Sequence, residues 1–435
     1  MNRLDEKSFI HLSDHPATLE VLFPNLRCLR CKYTDEAVPL LHLPFPSLIS
    51  LDLAFGEPST FRKFLESFPN LAPNIKRLFI RVRCLEGAFV KIEPDHIRRW
   101  QNLETVICPL INLDTDALAH LSCMPALARL TFKLAPSFLA SVSLLFFSNL
   151  HDLTLHSQSL QPISRLLSWA RLPALTNFTA FVASCPSRQE LTSFFAGLQT
   201  STSSAHYTIK SITLDQPVTS MSDIRGQAPL LDLGDLRPCM AFSNLRCIKL
   251  NIEWNVGLTD TELLALVSAW PHLEHLVINA YSGWSTLGGI TPNGLLQLLH
   301  TCRSLRWIAV AIDTRGYTAL PPNESQASLR LTLPPTFYIN VLDSVIEADS
   351  VTAIAAFFAG IAPCSNFSFS AWGGGKMVKP LGWEVSKDRW DNVFRWANRP
   401  SAFLNHFMVC TTFTSYMIFE SYRLNRSDSA RAILS

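Results

Sequence analysis

The stretch LTDTELLALVSAWPHLEHLVI, residues 258–278, contains two hydrophobic periods in succession. Leu263, Leu264 and Val267 have the spacing of one helical face, and Thr259 or Asp260 is placed to cap the start of that helix. After a Trp-Pro junction, apolar residues alternate with others, as on a strand that buries one face. The stretch therefore predicts a helix, a tight junction and a short strand in one unit.

The strand half of this unit recurs along most of the chain as the frame Leu-x-x-Leu-x-Leu, often after an aromatic residue and Pro or Ser. The eleven frames begin at irregular intervals, at Leu26, Leu48, Ile75, Leu103, Leu127, Leu150, Leu175, Ile209, Leu245, Leu273 and Leu305. A single unit cannot bury both of its apolar faces, whereas stacked units share one continuous core. The pattern predicts a curved α/β solenoid with a parallel sheet on the concave side and helices on the convex side.

The frame resembles that of leucine-rich-repeat proteins. Three units resemble the cysteine-containing subtype found in F-box substrate receptors: LDTDALAHLSCMPALARLTF (113–132), the stretch 258–278, and ITPNGLLQLLHTCRSLRWIAV (290–310). The FPNL and FPSL junctions are similar to those of fungal F-box-like proteins. The resemblance covers about residues 20–315. It implies an irregular leucine-rich-repeat solenoid that recognises substrates of a cullin ubiquitin ligase.

Two departures from the family pattern affect these expectations. The Asn or Cys that ties each turn, three places after the last frame leucine, is replaced by Thr34, Gly56, Arg83, Ile111, Ala135, Gln158, Glu253, Tyr281 and Asp313. The turns must then be held otherwise, and we expect uneven curvature. No F-box is visible before Leu26, where about one helix fits at ~1.5 Å per residue. Loss of the F-box, a fragmentary chain and a scaffold with another task all remain open.

The chain divides into four predicted segments. Residues 1–25 form an N-terminal helix or truncated cap, residues 26–315 about eleven repeats, and residues 316–375 degenerate repeats around INVLDS (339–344) and CSNFSF (364–369). Residues 376–435 form a C-terminal cap and an apolar tail. Trp383, Trp390 and Trp396 indicate a capping helix there. We expect the uncharged stretch 402–419 to be a buried or poorly formed segment rather than a membrane helix.

No motif in the sequence supports catalysis or metal binding. The run AWGGGKM (371–377) lacks the spacer and the Ser or Thr of a phosphate-binding loop. Cys28 and Cys31 have the spacing of half a zinc site, but no second pair follows at a workable distance. On a strand, Cys28 would face outward and Cys31 inward. We therefore predict no enzyme, no cofactor and no metal.

The outward strand positions form the candidate partner-binding surface. The candidate residues on this concave face are Arg30, Lys32, Arg77, Phe79, Arg81, Arg129, Lys133, His275 and Trp307. Trp307 is the best single anchor. The basic, partly aromatic patch either merely solvates the sheet or recognises an acidic or phosphorylated protein. With 37 Lys+Arg against 35 Asp+Glu, the net charge of +2 favours neither nucleic acid nor membrane as a partner.

The predicted function is a non-enzymatic protein-interaction scaffold of the kind that recognises substrates in F-box receptors. A Skp-type adaptor would bind only through an F-box outside this chain. The alternative is a structural or regulatory leucine-rich-repeat adaptor unrelated to ubiquitylation. Eleven cysteines without a spacing framework, and first residues without the apolar core of a signal peptide, predict free thiols in the cytosol or nucleus.

Overall fold

The computed structural model describes residues 25–32, 45–56, 72–82, 90–91, 97, 99–136, 144–202, 208–216, 228–284, 289–317, 334, 336–361, 366–373 and 382–397. Each of the eleven frames contains a strand, and further strands lie between and after them. The strands are β1 (Cys28–Lys32), β2 (Ser50–Phe55), β3 (Arg77–Val82), β4 (Val90–Lys91), β5 (Thr105–Asn112), β6 (Arg129–Lys133), β7 (Leu145–Phe146), β8 (Asp152–Ser157), β9 (Ala170–Arg171), β10 (Asn177–Val182), β11 (Ser211–Asp215), β12 (Leu230–Leu231), β13 (Cys247–Asn251), β14 (Asn255–Val256), β15 (His275–Ile278), β16 (Trp307–Ala309), β17 (Thr336–Asn340) and β18 (Asn366–Ser370).

Helices connect many of these strands. The described α-helices are α1 (Thr115–Ser122), α2 (Leu160–Trp169), α3 (Arg188–Ser201), α4 (Leu233–Leu236), α5 (Asp260–Ser268), α6 (Pro292–Thr301), α7 (Val351–Ile361) and α8 (Trp383–Ala397), with 3-10 turns at Arg237–Ala241 and Ala348–Ser350. No helix in the described part of the chain is both long and apolar enough to cross a membrane. The segment 402–419 lies outside the described residues, as do residues 1–24.

The main sheet has fourteen strands, and all of its pairings are parallel. Its order is β1-β2-β3-β5-β6-β8-β10-β11-β13-β15-β16-β17-β18, with β4 beside β5. Frame residues stand directly opposite one another: Leu51 lies between Leu29 on β1 and Leu78 on β3. This order follows the chain order, as expected of stacked repeats, and confirms the predicted α/β leucine-rich-repeat solenoid.

The inward strand residues and the buried helix faces belong to one hydrophobic cluster. Two tryptophans that precede frames also join neighbouring repeats. The buried Trp100 donates from Nε1 to the Ala72 carbonyl at 3.0 Å, and the buried Trp270 donates from Nε1 to the Cys239 carbonyl at 3.1 Å. A buried indole N–H needs an acceptor, so each of these tryptophans fixes the preceding repeat relative to its own.

The helix predicted from residues 258–278 begins as expected. Thr259 is the N-cap of α5 and forms a reciprocal capping box with Glu262. Asp260 has a different role: its two carboxylate oxygens accept hydrogen bonds from the backbone N–H and the hydroxyl of Thr291, the N-cap of α6, at 2.8 and 2.6 Å. The starts of two successive helices are therefore tied together. A Cβ at Gly294 would lie 1.9 Å from the Asp260 carboxylate, so any other residue there would displace that carboxylate from Thr291.

Two of the turns are held by a polar ladder in a different position from that of regular repeats. Asn251 and Asn279 follow the last frame residue immediately, rather than three places later. Asn279 accepts from the Ile252 N–H at 3.0 Å and donates to the Trp254 carbonyl at 2.7 Å, while Asn251 accepts from the Ala280 N–H at 3.0 Å. Asn279 has a φ of 53°, a left-handed conformation that asparagine adopts more readily than most residues. The C-terminal turns are thus tied by a ladder in a shifted position.

Candidate functional site

The outward side chains of the main sheet form a surface that we call the strand face. Because neighbouring strands pair in register, these side chains lie in rows, with roughly 4.8 Å between adjacent members. The first row is Cys28, Ser50, Arg77, Thr105, Arg129, Asp152, Asn177, Ser211, Cys247, His275, Trp307 and Tyr338. The second row is Arg30, Asp52, Phe79, Ile107, Thr131, Thr154, Thr179, Thr213, Lys249, Val277 and Ala309.

The predicted cations gather on strands β1 to β6. The basic patch, as we use the term, consists of Arg30, Arg77, Arg81, Arg129 and Lys133. Phe79 lies half-buried between Arg77 and Arg81 on β3. The side chain of Lys32 lies outside the described residues. The register therefore brings most of the predicted cations onto one part of the strand face.

The basic patch is less positive than the sequence predicts, because two carboxylates lie among its cations. Asp52 forms ion pairs with Arg30 at 2.9 Å and Arg81 at 2.5 Å, and Asp152 pairs with Arg129 at 3.0 Å. Arg77 is exposed and forms no ion pair with any described residue. Asp52 lies at an outward position of the frame FPSLISLDL, so the alternation of the sequence contained the signal for it. The patch is basic but partly neutralised.

A row of threonines runs through the middle of the strand face. Thr131, Thr154, Thr179 and Thr213 occupy one row on four successive strands. Beside them, the half-buried ring of His156 stacks on Phe181 with centroids 4.7 Å apart. Burial, and secondly the charge of Lys133, lower the pKa of His156 to about 4. The imidazole is therefore neutral near pH 7.

An aromatic row marks the C-terminal part of the strand face. His275, Trp307 and Tyr338 stand opposite one another on β15, β16 and β17. The Trp307 ring meets Tyr338 edge-on at 5.6 Å and His275 at 6.0 Å, yet the residue remains 41% exposed. Burial lowers the pKa of His275, with a smaller opposing effect of Glu274. The predicted residues His275 and Trp307 are thus brought together, and Tyr338 joins them.

A second polar cluster lies between the threonine row and the aromatic row. Lys249 Nζ contacts the Asp215 carboxylate at 3.1 Å and the Tyr281 hydroxyl at 3.4 Å. Burial alone would lower the pKa of Lys249, but the hydrogen bonds and charges of Asp215 and Tyr281 outweigh it and leave that pKa raised. The lysine therefore stays charged, and it links two strands with the loop after β15.

The described cysteines are free thiols. Cys28 is exposed, as predicted, whereas the side chain of Cys31 lies outside the described residues. Burial raises the pKa of Cys108 to about 12 and that of Cys302 to about 11, so both thiols are protonated at neutral pH. No group of three or more His, Cys, Asp or Glu side chains in the described ranges could hold a metal ion.

A groove of about 650 Å³ lies on the helical side, between α2 and α3. Its lining includes the polar residues Ser164, Arg165, Ser168, Ser187 and Ser193. Nothing in its geometry joins it to the strand face.

Comparisons with known proteins leave the function open. No family model matches this chain, and no curated protein matches it, so the resemblance to F-box receptors gains no support from either. Among solved structures, an internalin of Listeria monocytogenes is similar at 10% identity over 83% of this chain and 87% of its own, with a TM-score of 0.32. The plant peptide hormone receptor RGFR1 in complex with RGF2 is similar at 11% identity over 80% of this chain and 69% of its own, with a TM-score of 0.22. Both superpositions are too loose to carry an argument about this chain.

Proposed function

We propose that this protein is a non-enzymatic interaction scaffold that binds a protein partner on the strand face. One observation carries the proposal: outward side chains form continuous in-register rows from β1 to β17, with large exposed groups such as Arg77 and Trp307 among them. A solenoid presents such rows as an extended surface on which a partner can contact several repeats at once. Exposed Trp and Arg side chains are the groups that most often anchor protein interfaces.

The charge of the basic patch favours an acidic or phosphorylated partner. The patch has five cations against the two carboxylates of Asp52 and Asp152. Arg77 has no competing ion pair within the described residues, and its planar guanidinium can bind a carboxylate or phosphate through two parallel hydrogen bonds. We propose that an acidic group of the partner binds at Arg77, with Arg129 two strands away as its neighbour.

A finer assignment rests on the family resemblance alone. The three units around 113–132, 258–278 and 290–310 are similar to repeats of F-box substrate receptors, which favours substrate recognition for a cullin ubiquitin ligase. A Skp-type adaptor would then bind an F-box encoded outside this chain. Co-purification of the chain, or of a longer product of its gene, with such an adaptor tests this assignment, and consistent failure favours a structural or regulatory adaptor. The free described cysteines support a reducing compartment, the cytosol or nucleus.

Charge reversal tests the binding surface. The double variant Arg77→Glu/Arg81→Glu should lose most of the partner captured by the wild-type chain, as quantified by mass spectrometry. The control Arg165→Glu/Arg303→Glu makes the same change in charge at residues outside the strand face, and it should capture the partner normally. Both variants should melt within a few degrees of the wild type, because exposed ion pairs contribute little to stability. Equal capture by all three proteins would mean that the patch only solvates the sheet.

A further inference from the structure

Asp215 and Asn251 face each other in register on β11 and β13, and each has one buried polar atom without a partner. The two residues are 9% and 3% exposed. Asp215 uses Oδ2 to accept from Lys249, and Asn251 uses Oδ1 to accept from the Ala280 N–H. Asp215 Oδ1, an acceptor, and Asn251 Nδ2, a donor, have no hydrogen-bond partner in the described part of the molecule.

An unpaired acceptor and an unpaired donor on two facing, buried residues are a costly arrangement. A buried polar group without a partner costs about 1–3 kcal/mol, so this pair stores a free energy that a suitable ligand would recover. Because Asp215 Oδ2 and Asn251 Oδ1 already accept hydrogen bonds, the atoms that remain free are Asp215 Oδ1 and Asn251 Nδ2. A ligand that satisfies both atoms must supply one hydrogen-bond donor and one acceptor close together.

A primary carboxamide has that geometry. Its NH₂ group and its oxygen lie on the same edge of one plane, so a single group can donate to Asp215 Oδ1 and accept from Asn251 Nδ2. A carboxylate offers no donor, and an ammonium or guanidinium group offers no acceptor. A trans peptide unit points its N–H and C=O in opposite directions and cannot bind both atoms at once.

A bridge between Lys249 and Tyr281 adjoins the pair. Lys249 precedes Asn251 on the same outward side of β13 and lies 5.2 Å from the centre of the Tyr281 ring. Tyr281 is 43% exposed and directly follows Ala280, whose N–H is bound by Asn251. A cation–π contact at an exposed site contributes only about 0.5–1 kcal/mol. The hydrogen bond from Lys249 Nζ to the Tyr281 hydroxyl is long, at 3.4 Å, so the exposed Tyr281 ring can move aside at low cost while Lys249 stays on Asp215.

We propose that Asp215 and Asn251 form a subsite for the carboxamide side chain of an Asn or Gln residue in an extended partner segment, with Tyr281 as its movable cover. The subsite lies on the strand face and so rests on the proposed interaction function. It adds a specificity element to that function, since charge and aromatic contacts alone do not select an uncharged amide.

Two near-isosteric substitutions should change which side chain this site prefers. In Asp215→Asn, Lys249 still requires an oxygen, so the new NH₂ group takes the place of Oδ1 and the site offers two donors. In Asn251→Asp, the bond from Ala280 is kept and the site offers two acceptors. A library of random displayed peptides, panned on the full chain, should yield Asn or Gln with the wild type, Asp or Glu with Asp215→Asn, and Arg or Lys with Asn251→Asp.

A measurement on the wild type alone covers the case in which a variant does not fold. A selected peptide should lose roughly tenfold or more in affinity when its Gln is changed to Glu or Met, the loss expected for one unpaired buried group. Retention of affinity for all three peptides, or one consensus shared by the three proteins, would mean that the pair binds only a structural water.

The outcomes separate this inference from the proposed function. Peptides without an amide preference whose binding is lost in Trp307→Ala would overturn the carboxamide subsite and leave the strand face as a binding surface. Failure to enrich any peptide, or binding insensitive to Trp307→Ala, Arg77→Glu and Asp215→Asn alike, would count against both.

Discussion

The Asp52 carboxylate lies 2.5 Å from the guanidinium of Arg81 on the neighbouring strand, and its second oxygen binds Arg30. Asp52 thereby competes with any acidic partner for two cations of the basic patch. In Asp52→Asn we expect several-fold tighter binding of the captured partner at low salt and a steeper loss with added salt. Calorimetric titrations at two ionic strengths measure this. Weaker or unchanged binding would show that the partner does not contact these arginines.

The exposure and pKa of the cysteines predict a selective alkylation pattern. Iodoacetamide at pH 8 should modify Cys28 in the folded protein while sparing Cys108 and Cys302, whose raised pKa values and burial keep them protonated and covered. Peptide mass spectrometry before and after denaturation reads this out. Protection of Cys28 equal to that of Cys108 would place β1 in a different register.

His156 should make the protein sensitive to mild acid. Its pKa is about 4 in the fold and about 6.5 in an unfolded chain, so between these values the unfolded state binds more protons. Stability from this residue is complete above pH 6.5 and is lost as the pH falls toward 4. Because the ring is half-buried, solvent reduces the effect, and we expect a decrease of a few degrees in Tm. His156→Gln should flatten this slope, and an NMR titration of the imidazole gives the pKa directly.

Asp260 and Gly294 should be strongly coupled in stability. Gly294→Ala places a methyl group where the Asp260 carboxylate lies, displaces that carboxylate from Thr291 and should destabilise the protein by about 1–2 kcal/mol. Asp260→Ala removes the two hydrogen bonds from Thr291 and costs about 1–2 kcal/mol, but it also makes room for the methyl group. In the double variant the two losses should therefore not add. Simple additivity in a double-mutant cycle of denaturant unfolding would contradict the close packing.

Much of the fold could be predicted from spacing because the strand frame is local. Alternation within six residues places Leu51 inward and Asp52 outward, whatever the rest of the chain does. The same rule placed Arg77, His275 and Trp307 on the strand face. Asp52 satisfies the rule equally, but the candidate surface contains only cations and aromatic residues and so leaves this carboxylate out.

The other contacts depend on distances between repeats. These distances could not be predicted because the spacing of the frames is irregular. The bonds between Asp260 and Thr291 require the offset between two helices, and the unpaired atoms of Asp215 and Asn251 depend on which oxygen each neighbour already occupies. The shifted ladder of Asn251 and Asn279 was missed because the expected position came from regular repeats. No local pattern encodes these relations.

The strand order of the main sheet determines how the molecule unfolds. Each strand is held by the strand before it and the strand after it, so the chain behaves as a row of coupled units rather than one cooperative body. Melting can begin at either end and advance as a moving boundary, with amide exchange slowest in the central repeats. A partner lying across several strands would halt that boundary, and its binding would be visible as exchange protection far beyond the residues it touches.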